Sequence, residues 1–156
     1  MKAKKVKGLD PQAALLQNAA LIARTRLSEL LSFAPAALAP DASEAQHDMR
    51  IAAKRLRYVL ETVGVCLGEP ANDGRRAARE LQEVLGVVHD CDERFALVER
   101  HLERTDVSAD RGLELLLANT AETRDDRHAA FVRLWTKLQD DGVWDRLDAA
   151  ASAAAP

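Results

Sequence analysis

Histidine, arginine and lysine recur at spacings of three and four through His47-Asp48-Met49-Arg50-Ile51-Ala52-Ala53-Lys54-Arg55-Leu56-Arg57-Tyr58-Val59-Leu60-Glu61. A helix turns by about 100° per residue, so with His47 at zero, Lys54 falls near −20°, Glu61 near −40°, Arg50 near −60°, Arg57 near −80° and Tyr58 near +20°. These side chains share about 100° of arc. Met49, Ala52, Ala53, Leu56, Val59, Leu60 and Val63 centre on the other side, so one face is core and the other a basic stripe. Residues three or four apart on a helix are roughly 5–6 Å neighbours, a spacing that lets long side chains reach successive charges of an extended polyanion. Arginine brings a planar fork that fits phosphate oxygens, and lysine a point charge. His47 can donate hydrogen bonds, and a polyanion beside it would raise its pKa. Glu61 closes the stripe and can orient an arginine. Spacing alone also fits a merely solvated face.

Other charged groups extend or compete with this reading. Lys5 and Lys7, with Lys2 and Lys4, precede the first predicted helix. Arg75, Arg76 and Arg79 open the third, where cations oppose the helix dipole and a bound anion would relieve the conflict. Arg79, Gln82, Gly86 and His89 share one face within about 80°. His89-Asp90-Cys91-Asp92 has the residue types of a metal site, but adjacent helical positions point apart, so no metal is expected. Cys66 and Cys91 lack C-x-x-C spacing and read as reduced core thiols. Histidine phosphotransfer on His47, with Lys54 as neighbour, fits the crowd of cations less well than capture of an existing anion. Arg124 and His128 lie beside Leu117, Phe131 and Trp135 and read as internally satisfied groups. No catalytic acid–base pair, nucleophile elbow or glycine-rich phosphate loop is present, so neither an enzyme nor a cofactor is expected.

The elements that must carry these residues are helical. The 156 residues are 47% hydrophobic but only 4% aromatic, with few Gly and Pro, which favours aliphatic helix packing over sheets. Asp10-Pro11 predicts a capped helix to Phe33, followed by an Ala34–Asp41 loop. Ser43 and Gln46 predict a capping box and a second helix to Leu67. A turn cluster over Gly68–Gly74 precedes a third helix, Arg75–Arg104. A break at Thr105–Ser108 precedes a fourth, Ala109–Asp140. A short helical turn after Gly142 and a frayed tail from Ala149 complete the chain. The expected fold is all-α, an antiparallel four-helix bundle. Residues 1–8 form a basic arm, 9–145 the bundle and 146–156 a low-complexity tail. The net charge of −3 does not announce a polyanion binder, but the basic residues are concentrated locally. Neither a signal peptide nor a membrane span is legible, which points to a cytoplasmic protein.

The stretch from His47 to Glu61 resembles the signature of the CHAD family, the conserved-histidine α-helical domains, roughly H-x-x-R-x-x-x-K-R-x-R-Y-x-x-E. His47, Arg50, Lys54, Arg55, Arg57, Tyr58 and Glu61 fill it without a gap. Leu81-Gln82-Glu83-Val84-Leu85-Gly86, then Asp90, resembles a second family element. The resemblance spans about residues 5 to 140. It implies a helical bundle that binds inorganic polyphosphate and associates with polyphosphate granules. His47, Arg50, Lys54, Arg55, Arg57 and Tyr58 would form the polyphosphate site, with Lys5, Lys7, Arg75, Arg79 and His89 as secondary contacts. Family members usually carry two four-helix halves facing a basic channel. This chain supplies one, most like the second, so the resemblance implies a homodimer. Cations alone do not distinguish phosphate polymers, so sequence-independent nucleic-acid binding stays open, although aromatics for base stacking are scarce.

Overall fold

The computed structural model describes residues 2–104 and 111–155. The chain is all-α, with helices α1 (Leu15–Ala37), α2 (Ser43–Val63), α3 (Glu69–Arg104), α4 (Arg111–Asp140) and α5 (Val143–Ala154). A 3-10 turn, Gly64–Leu67, joins α2 to α3. The expected four helices are therefore five. The expected break at Thr105–Ser108 and the start of the fourth helix at Ala109 lie outside the described residues.

From α1 to α4, consecutive helices run antiparallel. Gln46 of α2 donates to the carbonyl of Ala37, while Arg55, farther along α2, reaches back to Glu29 of α1. His47 meets His89, while Leu60 lies against Gly74. Arg94 meets Thr120, and Arg124 meets Asp92. The core is made of small and branched aliphatic side chains: Ala20, Ala23, Leu27 and Leu30 from α1, Met49, Ala52, Ala53 and Leu56 from α2, and Leu81 and Leu85 from α3. Such stripes recur every three or four residues and bury one helix face, leaving the other to water. Placing α2 between α1 and α3 leaves its polar face beside the seam with α3.

The element boundaries differ from the sequence reading for physical reasons. Asp10 does not cap α1; its carboxylate accepts the Gln12 N–H at 2.9 Å in a local turn, and α1 begins at Leu15. Helix α1 continues through Pro35 to Ala37 instead of ending at Phe33. Proline removes one ladder hydrogen bond there, but Ala34 and Ala37 are buried on either side of it and hold the last turn to the core. Ser43 makes no capping hydrogen bond to α2. The buried Gln46 amide instead donates to the carbonyls of Ala39, at 2.7 Å, and Ala37, fastening the α1–α2 loop.

The supposed turn cluster before Arg75 is the first turn of α3. Pro70 sits where its missing N–H leaves nothing unsatisfied. Gly74 lies within this helix, and α5 packs so close to it that a Cβ would lie 2.8 Å from Leu147 Cδ2. Helix α5 itself extends to Ala154, past the expected fraying from Ala149, with Leu147 and Ala151 buried. Its sharp entry needs Gly142, at φ 62°, a region open to glycine at little steric cost. Trp144 then packs near-parallel to Trp135 of α4, with ring centroids 6.0 Å apart. Among the described residues, no helix is long and apolar enough to cross a membrane.

Candidate functional site

The polar face of α2 carries the stripe to the seam with α3, and the antiparallel pairing brings several of its residues to α3 partners. At one end His47 Nδ1 lies 3.3 Å from His89 Nδ1, with ring centroids 4.4 Å apart and planes tilted by 49°. One turn along, the Arg50 side chain crosses toward Gly86, where a Cβ would sit 3.6 Å from Arg50 Nε. Farther on, the Glu61 carboxylate is near enough to act on Arg79 of α3. Glu61 and Arg75 line one concavity at the far end. Thus α2 contributes His47, Arg50, Lys54 and Arg57, and α3 contributes His89, Arg79 and Arg75.

The cations on this surface are poorly neutralised from within. Arg50 Nε is buried without a hydrogen-bond partner, and so is Arg57 Nε. Among the described residues, neither Arg50 nor Lys54 has a carboxylate within ion-pairing distance. Arg57 reaches Glu61 only at 3.8 Å, beyond hydrogen-bond distance. Gln82 Oε1, on the α3 side, is another buried atom without a partner. Buried donors are normally satisfied, so the two arginine N–H groups without a partner mark this face as a place where a ligand's acceptors can enter, whereas the Gln82 oxygen is itself an acceptor and calls for a donor. Tyr58, half exposed, carries two cations on its ring: the Arg57 guanidinium at 4.6 Å and the Lys54 ammonium at 5.8 Å.

For His47, expected to gain charge beside a polyanion, the protein alone disfavours the charged ring. Burial pushes its pKa below 6.5, helped by His89 and Arg50 and opposed by Asp48.

Arg55 belongs to a different assembly. It points off the stripe to α1, where its guanidinium donates to Glu29 Oε1 at 2.9 Å. Glu29 is fully buried and also accepts from Arg26, which in turn donates to the carbonyl of Lys4 at 2.5 Å. The Lys4 backbone N–H closes the group on Glu29 Oε1 at 3.2 Å. This network lays the N-terminal arm back along α1, and Lys5 and Lys7 stand exposed on it beside α1 rather than on the α2–α3 seam. A carboxylate at Glu29, among the apolar positions Leu27 and Leu30 and three residues from Arg26, was the signal available in the sequence for this lock.

The remaining candidates have other surroundings. Arg75 and Arg79 lie beyond the first turn of α3, since that helix starts six residues before Arg75. They therefore do not oppose its N-terminal dipole, and Arg79 pairs with Glu83 at 2.8 Å. Asp92 is bound by Arg124 at 2.5 Å, and Arg124 also donates to the carbonyl of Pro40 and to Ser43 and Gln46. That one side chain ties α4 to α3 and to the α1–α2 loop. Cys91 is buried, which pushes its thiol pKa up and keeps it protonated and unreactive. Among the described residues, no cluster of three or more His, Cys, Asp or Glu side chains could hold a metal ion.

No curated protein and no solved structure matches the chain. A family model does: the CHAD domain matches residues 21–156, taking in the α2 stripe, the α3 seam and α5 alike, and the chain therefore belongs to the CHAD-domain family.

Proposed function

We propose that this chain is a non-enzymatic binder of inorganic polyphosphate. The site is the α2–α3 surface lined by His47, Arg50, Lys54, Arg57 and Tyr58, with Arg75, Arg79 and His89 beside it. The observation that carries this reading is the lack of internal partners. Among the described residues neither Arg50, partly buried, nor Lys54, exposed, has a carboxylate within ion-pairing distance, and Arg50 Nε is buried and unsatisfied. The family's association with polyphosphate-related proteins supports the choice of anion. An extended chain of phosphates lying along α2 would meet a cation about every 5–6 Å. It would also supply acceptors to the unsatisfied arginine nitrogens. Binding places the protein at polyphosphate granules in the cytoplasm.

The chain provides one basic face, so two copies sharing a polyphosphate strand complete a channel, and the ligand tightens the homodimer by mass action. Light scattering should give about twice the chain mass with polyphosphate present, since a two-fold pairing doubles the mass. A strict monomer there leaves an open single face.

Titration of long-chain polyphosphate and of single-stranded oligothymidine at two salt concentrations tests the reading. Polyphosphate affinity should fall linearly with salt on logarithmic axes, as counterions are released. Changing Arg50, Lys54 and Arg57 together to Ala should remove most binding while leaving the helical circular dichroism intact. A triple variant that binds as the parent does removes the site, and equal or tighter binding of the oligonucleotide removes the specificity.

A further inference from the structure

We infer that Tyr58 is a positioning residue for the anion site: its ring holds Lys54 and Arg57 at fixed places before any ligand arrives. This rests on the polyphosphate reading and specifies how that site is prepared.

Arg57 and Tyr58 are adjacent on α2, and Lys54 lies one turn before them. The Arg57 guanidinium lies 4.6 Å from the ring centroid and the Lys54 ammonium 5.8 Å, both within the range where the negative face of an aromatic ring attracts a cation. Two cations this close to each other repel. Lys54 has no carboxylate within ion-pairing distance among the described residues, and Arg57 has only a long contact to Glu61. The ring therefore does for both side chains what an acid would do, without adding a negative charge that would repel phosphate. Long basic side chains lose considerable rotamer freedom when a ligand fixes them. Holding them beforehand moves that loss from the binding step to folding, and affinity rises without a new contact to the ligand. Phe33, Phe131, Trp135 and Trp144 are in or against the core, whereas Tyr58 is half exposed and in contact with the stripe.

The experiment compares the parent with Tyr58→Phe and Tyr58→Leu, using long-chain inorganic polyphosphate as the probe. Melting temperatures should coincide, because the side chain is half exposed. Tyr58→Leu should weaken binding about three- to tenfold, one cation–π contact being lost at each cation. The slope of affinity against salt should stay the same, because the same cations still meet phosphates. Tyr58→Phe should bind as the parent does, since its ring keeps the negative face. In the ligand-free protein, the Arg57 side-chain proton resonances should carry the ring's upfield shift in the parent and in Tyr58→Phe and lose it in Tyr58→Leu. Unchanged affinity in Tyr58→Leu overturns the inference, as does an absent ring shift. Loss of binding in Tyr58→Phe also overturns it, by showing that the hydroxyl touches the ligand. A parent that fails to bind polyphosphate while showing the ring shift removes the functional reading and the inference with it, a result distinct from all the others.

Discussion

Arg55 and Arg57 stand two residues apart on α2 and have opposite fates. Arg55 turns to α1 and is bound by Glu29, with Arg26 sharing the same carboxylate. Arg57 leaves α2 on the stripe side, where its Nε is buried without a hydrogen bond and Glu61 stays at 3.8 Å. Arg50, on the same side, has no carboxylate partner among the described residues. A charge already answered inside the fold contributes to the fold, while one left unanswered beside solvent is free to serve a ligand. The composition of a basic run therefore says less than the direction in which each member leaves the helix.

The largest test of this contrast is removal of the acid from the paired side. Glu29→Gln should leave Arg26 and Arg55 without their shared carboxylate in a site where the Arg26 and Glu29 side chains are 10% and 1% exposed. Breaking such a pair from one side costs about 3–5 kcal/mol. Urea unfolding should show that loss as a lower midpoint with an unchanged slope. Polyphosphate affinity, measured well below the transition, should hold, because the stripe points elsewhere. Loss of binding without loss of stability would show that the Glu29 network belongs to the site.

Single arginine deletions sharpen the same contrast. Arg50→Ala should reduce polyphosphate affinity about tenfold, the worth of one charge-assisted phosphate contact. Its effect on stability should stay within about 0.5 kcal/mol, since no internal bond is lost. Arg55→Ala should do the reverse, costing about 1–3 kcal/mol of stability through its bond to buried Glu29 and leaving affinity near the parent's. If both variants lose affinity equally, the division of α2 into two faces is wrong.

The stripe was legible because helical periodicity is a local property: His47, Arg50, Lys54 and Arg57 had to share a face once α2 formed. The seam partners His89 and Gly86 were visible as a face of α3, but not as neighbours of α2, since register between helices is set by nonlocal packing. Gly74 shows the same limit. Within Gly68–Gly74 it reads as a turn residue, and only the approach of Leu147 from α5 shows why a residue without a Cβ stands inside the helix. Helix α5 was underestimated because an alanine-rich end looks featureless, although alanine is the strongest helix former and Trp144 and Leu147 sit three apart on one face. Arg55 was assigned to the site by motif position, while its angle, about 80° from His47, already placed it off the stripe.

A smaller effect separates the two faces by pH. His47 has a depressed pKa in the free protein, chiefly from burial and then from His89. The unfolded chain then binds the proton more readily, so the stability tied to neutral His47 is present above about 6.5 and is lost as pH falls through the lower folded value. A polyanion reverses the balance by favouring the charged ring, so binding takes up protons and affinity rises as pH falls below about 6.5. Calorimetric titrations in buffers of different ionisation enthalpy should show this uptake in the parent and much less of it in His47→Gln. Equal proton uptake in both would place the linkage on another group.

The smallest effect belongs to Arg79, which combines features of both faces. It lies on the α3 side of the stripe, but its guanidinium donates to Glu83 at 2.8 Å on an exposed surface. An exposed pair four residues apart contributes little to folding, so neither Arg79→Ala nor Glu83→Gln should shift the melting temperature measurably. Their effects on binding should have opposite signs. With its charge half answered by Glu83, Arg79 contributes less than Arg50, and Arg79→Ala should weaken polyphosphate binding less than Arg50→Ala does. Glu83→Gln removes a negative charge from the edge of the site and frees the arginine, so it should tighten binding and steepen its dependence on salt. A Glu83→Gln variant that binds more weakly than the parent would mean that Glu83 positions Arg79 for the ligand, and that a paired arginine can serve the site after all.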